Sequence, residues 1–322
     1  MAGANGAVTA VLIVLLGGCA VVPPGGAVTA GRSASAANPA PVPTPAPVPT
    51  PAPVPTPTAP APPAVPVRRG FTLDGTMVQG GSAIGTAPSD TVSLTFDGKE
   101  IPVAPDGTFF VGFDRNADSA AELVATLKGG RTVTEDLTIG KREWDLQRLN
   151  SLPKHSRPSA EFLRLRKPEL ERIHAARAMR TGAKGWREDF VWPVTGRISS
   201  VFGSQRIYKG GERGSYHSGV DVAVGAGTPL RAPADGTVIL AARDPFTLEG
   251  KLLMLDHGMG LNSAFLHLSD IAVDVGDHVT RGEVIAHTGA TGRATGPHLH
   301  WSVKWRDARI DPMLLTGPMP GG

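Results

Sequence analysis

The 322-residue chain contains a single cysteine, Cys19, so no disulfide can form within it. The same scarcity argues against a closed structural zinc site, which usually takes thiolate ligands. No apolar run is long enough for a spanning helix: residues 7–22, AVTAVLIVLLGGCAVV, are too short and stand too early in the chain. Gly (40) and Pro (30) are in excess and unevenly spread, which points to low-complexity segments beside folded ones. With 41% apolar residues and this length, the chain is expected to fold as two domains plus tails.

The apolar run of residues 7–22 has the form of a secretory h-region, and it ends LGGC at Cys19. That ending resembles the lipobox at which bacterial lipoproteins are cleaved and acylated, so residues 1–19 are expected to be a lipoprotein-type signal. The resemblance implies a periplasmic protein of a Gram-negative bacterium, held by lipidated Cys19 to a membrane, with the outer membrane favoured. The opening MAGANGAV has no Lys or Arg, which leaves plain cleavage and secretion as the alternative. Residues 20–67 read as a Pro-rich disordered spacer. Their PVPTPA repeats cannot form a core and favour polyproline II, about 3.1 Å per residue.

Residues 68–140 alternate short β-rich runs (VSLTF, TFFVGF, ELVATL) with the turn signals Asp97-Gly98, Asp106-Gly107 and Gly129-Gly130. This spacing predicts a small antiparallel β-sandwich. No catalytic constellation is visible in it, so a spacer or targeting role is expected. Residues 141–189 hold 13 Lys+Arg against 7 Asp+Glu, although the whole chain is only +3. This basic connector predicts a helix starting at Pro168 and ending at Gly182, with Leu170, Ile173 and Arg177 along one stripe. Aromatic residues are scarce in it and the chain carries an export signal, so nucleic acid is not an expected partner.

The chemistry gathers in the remaining third, residues 190–316, followed by a tail at 317–322. GPHLHW (296–301) places His298 and His300 on one face of a strand and Leu299 and Trp301 on the other. Upstream, HSGVDVAV (217–224) read as a strand puts His217, Gly219 and Asp221 on a shared face. With His300 these give two imidazoles and one carboxylate, a set suited to Zn²⁺ with a fourth position left for water, where the metal acidifies that water and polarises a carbonyl. His298, two residues from His300, suits a general base. His267, in NSAFLHLS, is a second candidate, for the developing oxyanion or the leaving amine. The segment QRIYKGGERGSY (205–216) is expected to line a substrate groove. His257 is expected to be structural, His278 and His287 to lie at the surface, and His155 and His174 to be solvated.

HSGVD, FLHLS and GPHLH in this order resemble the lysostaphin-like, LytM-type zinc endopeptidases that cut peptides of bacterial cell walls. The resemblance runs from about Phe190 to Pro312 and includes WPVTGRISSVFG, GTPLRAPADGTV, LDHGMG and VGDHVTRGEVIAHTGATGRATG. It implies a mostly β chain whose C-terminal domain is an antiparallel, duplicated-hybrid-motif peptidase. It also implies metal binding by His217, Asp221 and His300, one Zn²⁺ per chain, catalytic histidines His267 and His298, and peptidoglycan as the substrate. The sandwich ahead of it looks like the Ig-like domain that precedes such peptidases in some Gram-negative lineages. Many members carry an acidic residue two places after the second histidine of HLH, where this chain has Ser302, which would alter the support of a ligand.

Two other functions fit parts of the pattern. Degenerate relatives act as non-enzymatic activators of other wall hydrolases, but those have lost ligand positions, whereas all five are intact here. APADGTV and VGDHVTRGEVIAHTG resemble the framework of biotinyl and lipoyl carriers, but no lysine stands at a carrier turn.

Overall fold

A computed structural model describes residues 67–149, 151 and 158–320. The expected signal segment with Cys19, the Pro-rich spacer as far as residue 66, and His155 lie outside the described residues.

The N-terminal part comprises β1 (Thr72–Gly75), β2 (Ser82–Thr86), β3 (Thr91–Phe96), β4 (Lys99–Ile101), β5 (Thr108–Gly112), β6 (Ala120–Leu127) and β7 (Thr132–Thr138). They form two antiparallel sheets, β1-β2-β5 and β4-β3-β6-β7. The period of two is visible in β6, where Ala121, Leu123, Ala125 and Leu127 are buried between outward Ala120, Glu122, Val124 and Thr126. Leu94, Phe109, Phe113 and Leu123 fill the space inside. Gln79 and Arg142, one before the sandwich strands end and one after, bind each other and carry the chain out toward Asp311 at 2.9 Å.

The connector holds β8 (Leu146–Leu149) and α1 (Ala160–Ala178). The helix begins eight residues before the expected Pro168 and ends four before Gly182. Ser159 supplies the start, its Oγ accepting the Phe162 N–H at 3.1 Å, and the Glu161–Arg164 pair reinforces the first turn. Pro168 is carried inside the helix. It is tolerated because tertiary contacts grip both sides of it: Arg166 binds Glu249, and Glu169 accepts the N–H and hydroxyl of Thr247. Ile173 and Ala176 form the buried stripe, while Leu170 is 36% exposed.

The C-terminal strands are β9 (Arg197–Ser200), β10 (Gln205–Tyr208), β11 (Arg213–Tyr216), β12 (Val220–Ala223), β13 (Pro229–Arg231), β14 (Gly236–Phe246), β15 (Gly250–Gly258), β16 (Leu261–Leu268), β17 (Asp270–Ile271), β18 (His278–Val279), β19 (Val284–His287), β20 (Leu299–Trp305) and β21 (Ala308–Ile310). The main sheet runs β18-β14-β15-β16-β20-β12-β9, with β21 added on β20; β13-β19-β17 forms a second sheet. In β15, Leu252 and Met254 meet Ile173 and Ala176 of α1 on one face. Leu253 and Leu255 join Val238, Phe265, Ile285 and Trp301 on the other. Burial on both faces explains why the strand is apolar without alternation, each such side chain being worth about 1.5–3 kcal/mol. The expected groove segment 205–216 is a hairpin, β10 with β11, and β8 extends it by pairing parallel to β10.

Candidate metal centre

The site lies on four neighbouring strands of the main sheet. Register sets Ser200 of β9, Asp221 of β12, His300 of β20 and Leu266 of β16 directly opposite one another in a row. Residues opposite one another share a face, so Ser200, Asp221 and His300 project together. His217 does not lie on the strand of Asp221 as expected, because β12 begins only at Val220. Its N–H donates to Ser204 O at 2.8 Å and its carbonyl accepts from Gly203 N at 2.9 Å, so a preceding turn holds it instead of the sheet. Between them Gly219 passes so close to β20 that a Cβ there would lie 2.2 Å from Trp301 O. Only glycine permits this approach, which lets the chain fold back and return His217 to Asp221.

His217 Nε2, Asp221 Oδ1 and His300 Nδ1 converge, with separations of 3.1 Å (His217–Asp221), 2.8 Å (His300–Asp221) and 3.0 Å (His217–His300). Two ring nitrogens and a carboxylate oxygen aimed at one point call for a cation between them. Four-coordinate zinc with bonds of about 2.0 Å asks for donors about 3.3 Å apart, so the set fits with a small outward shift. Burial raises the Asp221 carboxyl, but the hydrogen bonds and charges of His217 and His300 reverse this and hold it well below the usual carboxylate range. Burial holds the His300 imidazole down despite Asp221, which favours the neutral form that can ligate. At His217 burial acts the same way but is outweighed by Asp221, leaving this imidazole above the ordinary value. The Nδ1 of His217 faces Val201 O at 3.0 Å and Ser200 Oγ at 3.2 Å, which assigns the ring proton to Nδ1 and frees Nε2 for the metal.

The two other expected histidines adjoin this cage. His267 and His298 have ring centroids 4.8 Å apart, and His267 is 6.4 Å from His300. Strand alternation alone would send His267 to the core side with Phe265. A β-bulge prevents it: Leu266 and His267 together oppose the single residue Leu252, and His267 takes φ +63°. Such a φ costs a non-glycine residue on the order of 1 kcal/mol. The bulge is held by His267 N donating to Glu249 O at 2.8 Å, and the ring is set by Nδ1 against Thr291 O at 2.9 Å. Burial lowers the His267 pKa below the ordinary value, only partly offset by Thr291. His298 precedes β20 and points its Nδ1 at Gly296 O, 2.8 Å away.

These side chains open on a groove of about 1660 Å³, walled by Tyr208 and Tyr216 of the hairpin, Arg197 of β9, Gln147 of β8 and Arg293. His257 is a fully buried core residue bonded to Asp235 O and Ser263 Oγ, each at 2.8 Å. His174 and His278 are exposed and His287 half-buried, all outside the cage. Ser302 shares the His300 face of β20 opposite Ala264. Sequence reasoning gave no role to Thr291, Glu249 or the Val201–Ser204 turn, which act on the histidines through backbone atoms and leave no residue-type signal.

Residues 215–312 match the model of peptidase family M23. The chain is 37% identical over 123 residues to the peptidoglycan DD-endopeptidase ShyA of Vibrio cholerae, over 38% of this chain and 28% of that protein. It is also 37% identical over 124 residues to the DD-carboxypeptidase/endopeptidase Mpg of Neisseria meningitidis, over 38% and 28% respectively. The chain thus spans little more than a quarter of the length of these curated relatives. A crystal structure from Pseudomonas aeruginosa, described as a peptidase of the M23 kind, is matched at 32% identity and a TM-score of 0.56, over 75% of this chain and 95% of the other. Because this chain covers 95% of that structure at 32% identity, and its residues 215–312 match the family model, the chain belongs to peptidase family M23.

Proposed function

We propose that this chain is a zinc-dependent endopeptidase that hydrolyses peptide bonds of peptidoglycan stem peptides or cross-links. The observation that carries the reading is the convergence of His217 Nε2, Asp221 Oδ1 and His300 Nδ1 within about 3 Å of one another, at the floor of a groove that also holds His267 and His298. The names of the V. cholerae and N. meningitidis relatives support the substrate and make the D,D cross-link the first bond to test.

His217, Asp221 and His300 hold the metal. Zinc bound there supplies Lewis acidity, both to the scissile carbonyl and to the attacking water. His298, its Nδ1–H donated to Gly296 O, presents Nε2 as the base that takes the water's proton as its oxygen bonds to the carbonyl carbon. His267 is arranged the same way, its Nδ1–H on Thr291 O. Its Nε2 is therefore an acceptor while neutral. It stabilises the oxyanion, or protonates the departing amine, only once it carries a second proton, the one that His298 has taken from the water and passes on. That proton completes hydrolysis: the C–N bond breaks, the amine leaves, and the carbonyl carbon keeps the new oxygen. Within this reading the export signal and Cys19 would place the enzyme in the periplasm on a membrane, facing its substrate.

The test is digestion of purified Gram-negative sacculi with zinc or with chelator, read by mass spectrometry. Zinc-dependent loss of cross-linked dimers is expected. Intact dimers in the presence of stoichiometric zinc would overturn the reading in favour of an activator.

A further inference from the structure

Residues of the sandwich reach the metal cage. Arg115 follows β5 and is 5% exposed, and its Nε donates to Gly203 O at 2.9 Å, across 88 residues of sequence. Gly203 belongs to the turn that encloses His217. Its N–H donates to His217 O, Ser204 O accepts the His217 N–H, and Val201 O faces the His217 Nδ1. The backbone of His217 and the rear of its ring are thus bound to one short turn, and Arg115 grips that turn from outside.

The grip is built on several sides. The Arg115 guanidinium lies 4.8 Å from the ring centroids of Trp144 and of Tyr216, the residue immediately before His217. Its Nη1 donates to Asn116 Oδ1 at 2.9 Å. Trp144 packs so closely on Gly203 (φ +82°) that a Cβ there would fall 2.1 Å from its ring, and it meets buried Phe202 edge-on at 5.8 Å. Arg309 donates to the Tyr216 hydroxyl at 3.1 Å, and its own N–H binds Asp114, the neighbour of Arg115. A guanidinium can stack between two rings while keeping an in-plane N–H on a carbonyl; lysine cannot reproduce that geometry.

We propose that Arg115 is a positioning residue for His217, so that the sandwich forms part of the metal site instead of serving as a spacer. This inference rests on the metal reading above. Displacing the sandwich would pull on Gly203 and withdraw Nε2 of His217 from Asp221 and His300, a route by which a partner bound to the sandwich could govern the enzyme.

The test compares Co²⁺ binding by the purified chain with that of Arg115→Met and Arg306→Ala, by calorimetric titration and by the Co²⁺ absorption spectrum. Arg306 also joins the two parts, donating to Glu100 O, but is remote from the turn. Arg115→Met is expected to weaken Co²⁺ binding about 10- to 100-fold and change the spectrum, as loss of an outer support does at metal sites, while Arg306→Ala stays within about twofold. A folded Arg115→Met with unchanged affinity and spectrum overturns the proposal. Nitrogen NMR of the His217 ring in metal-free protein reads the same link without metal: a shift in Arg115→Met beyond that in Arg306→Ala is expected, and no shift overturns it. Wild-type protein that takes up no Co²⁺ would instead remove the metal reading, leaving the NMR comparison to decide on positioning. Should Arg115→Met fail to fold, Arg115→Lys carries the same measurements.

Discussion

Arg166 of α1 and Glu249, immediately before β15, are joined at two points, Nη1 to Oε2 at 2.5 Å and Nη2 to Oε1 at 2.7 Å. The backbone carbonyl of this same Glu249 accepts the His267 N–H and so holds the bulge that turns His267 toward His298. The helix is therefore coupled to one histidine, as the sandwich is to another. Arg166→Met is expected to lower kcat by about tenfold while leaving zinc affinity within twofold, because His267 is displaced and the ligands are not. Parallel steady-state kinetics and zinc titration check this; equal losses in both would mean that the helix acts on the whole sheet.

Separate roles for ligands and bases predict separate phenotypes. His217→Ala is expected to abolish stoichiometric zinc binding and cleavage together. His298→Ala should retain the metal and lose about 100- to 10,000-fold in rate. Zinc content by elemental analysis beside cleavage rate distinguishes them, and cleavage retained by His217→Ala would exclude the mechanism.

Gly219→Ala tests the fold-back between His217 and Asp221. The added methyl would meet Trp301 O at 2.2 Å and His300 Nε2 at 3.0 Å, so either the crossing or β20 must move. A loss of about 1–3 kcal/mol in stability is expected, together with weaker zinc binding. Urea unfolding and zinc titration of the same sample measure both; a variant stable and metal-tight would show that the crossing has slack.

Acid should destabilise the protein through His257. Burial, only partly countered by the Asp235 carbonyl, lowers its pKa to about 4, against about 6.5 in an unfolded chain. The neutral imidazole is the form that fits the core, so this stability is complete above about pH 6.5. It declines as the pH falls toward 4, by a total of about 3 kcal/mol. Urea midpoints between pH 7 and 4 should fall less steeply in His257→Gln than in wild type, even if that variant is weaker at pH 7.

The convergence of His217, Asp221 and His300 was legible from sequence because these residues stand in short, type-specific spacings: H-x-x-x-D around Gly219 and the second histidine of H-x-H around Leu299. Strand alternation was a sound guide along β20 from Leu299 onward, but His298 stands just before that strand, and alternation misplaced His217, whose backbone bonds go to a turn outside the strand. Pro168 misled at α1, since contacts from Glu249 and Thr247, 78 or more residues away, outweigh its local preference for a helix start. The bulge at His267 had no local signal either. Its φ is imposed by Glu249, and a histidine carries no mark of the left-handed conformation as a glycine does.

The family match begins at Ser215, whereas Ser200, Val201, Gly203 and Ser204, which hold His217 in place, all precede it. The boundary of the family model therefore passes through the cage, although the resemblance in sequence reaches back to about Phe190. A recombination event cut at residue 214 would transmit all three ligands and leave behind the groups that aim the first of them. The stretch of chain that the family model matches and the stretch that, on the proposal for Arg115, must travel together to work are different lengths in this protein, and the longer one reaches back past Trp144 into the sandwich.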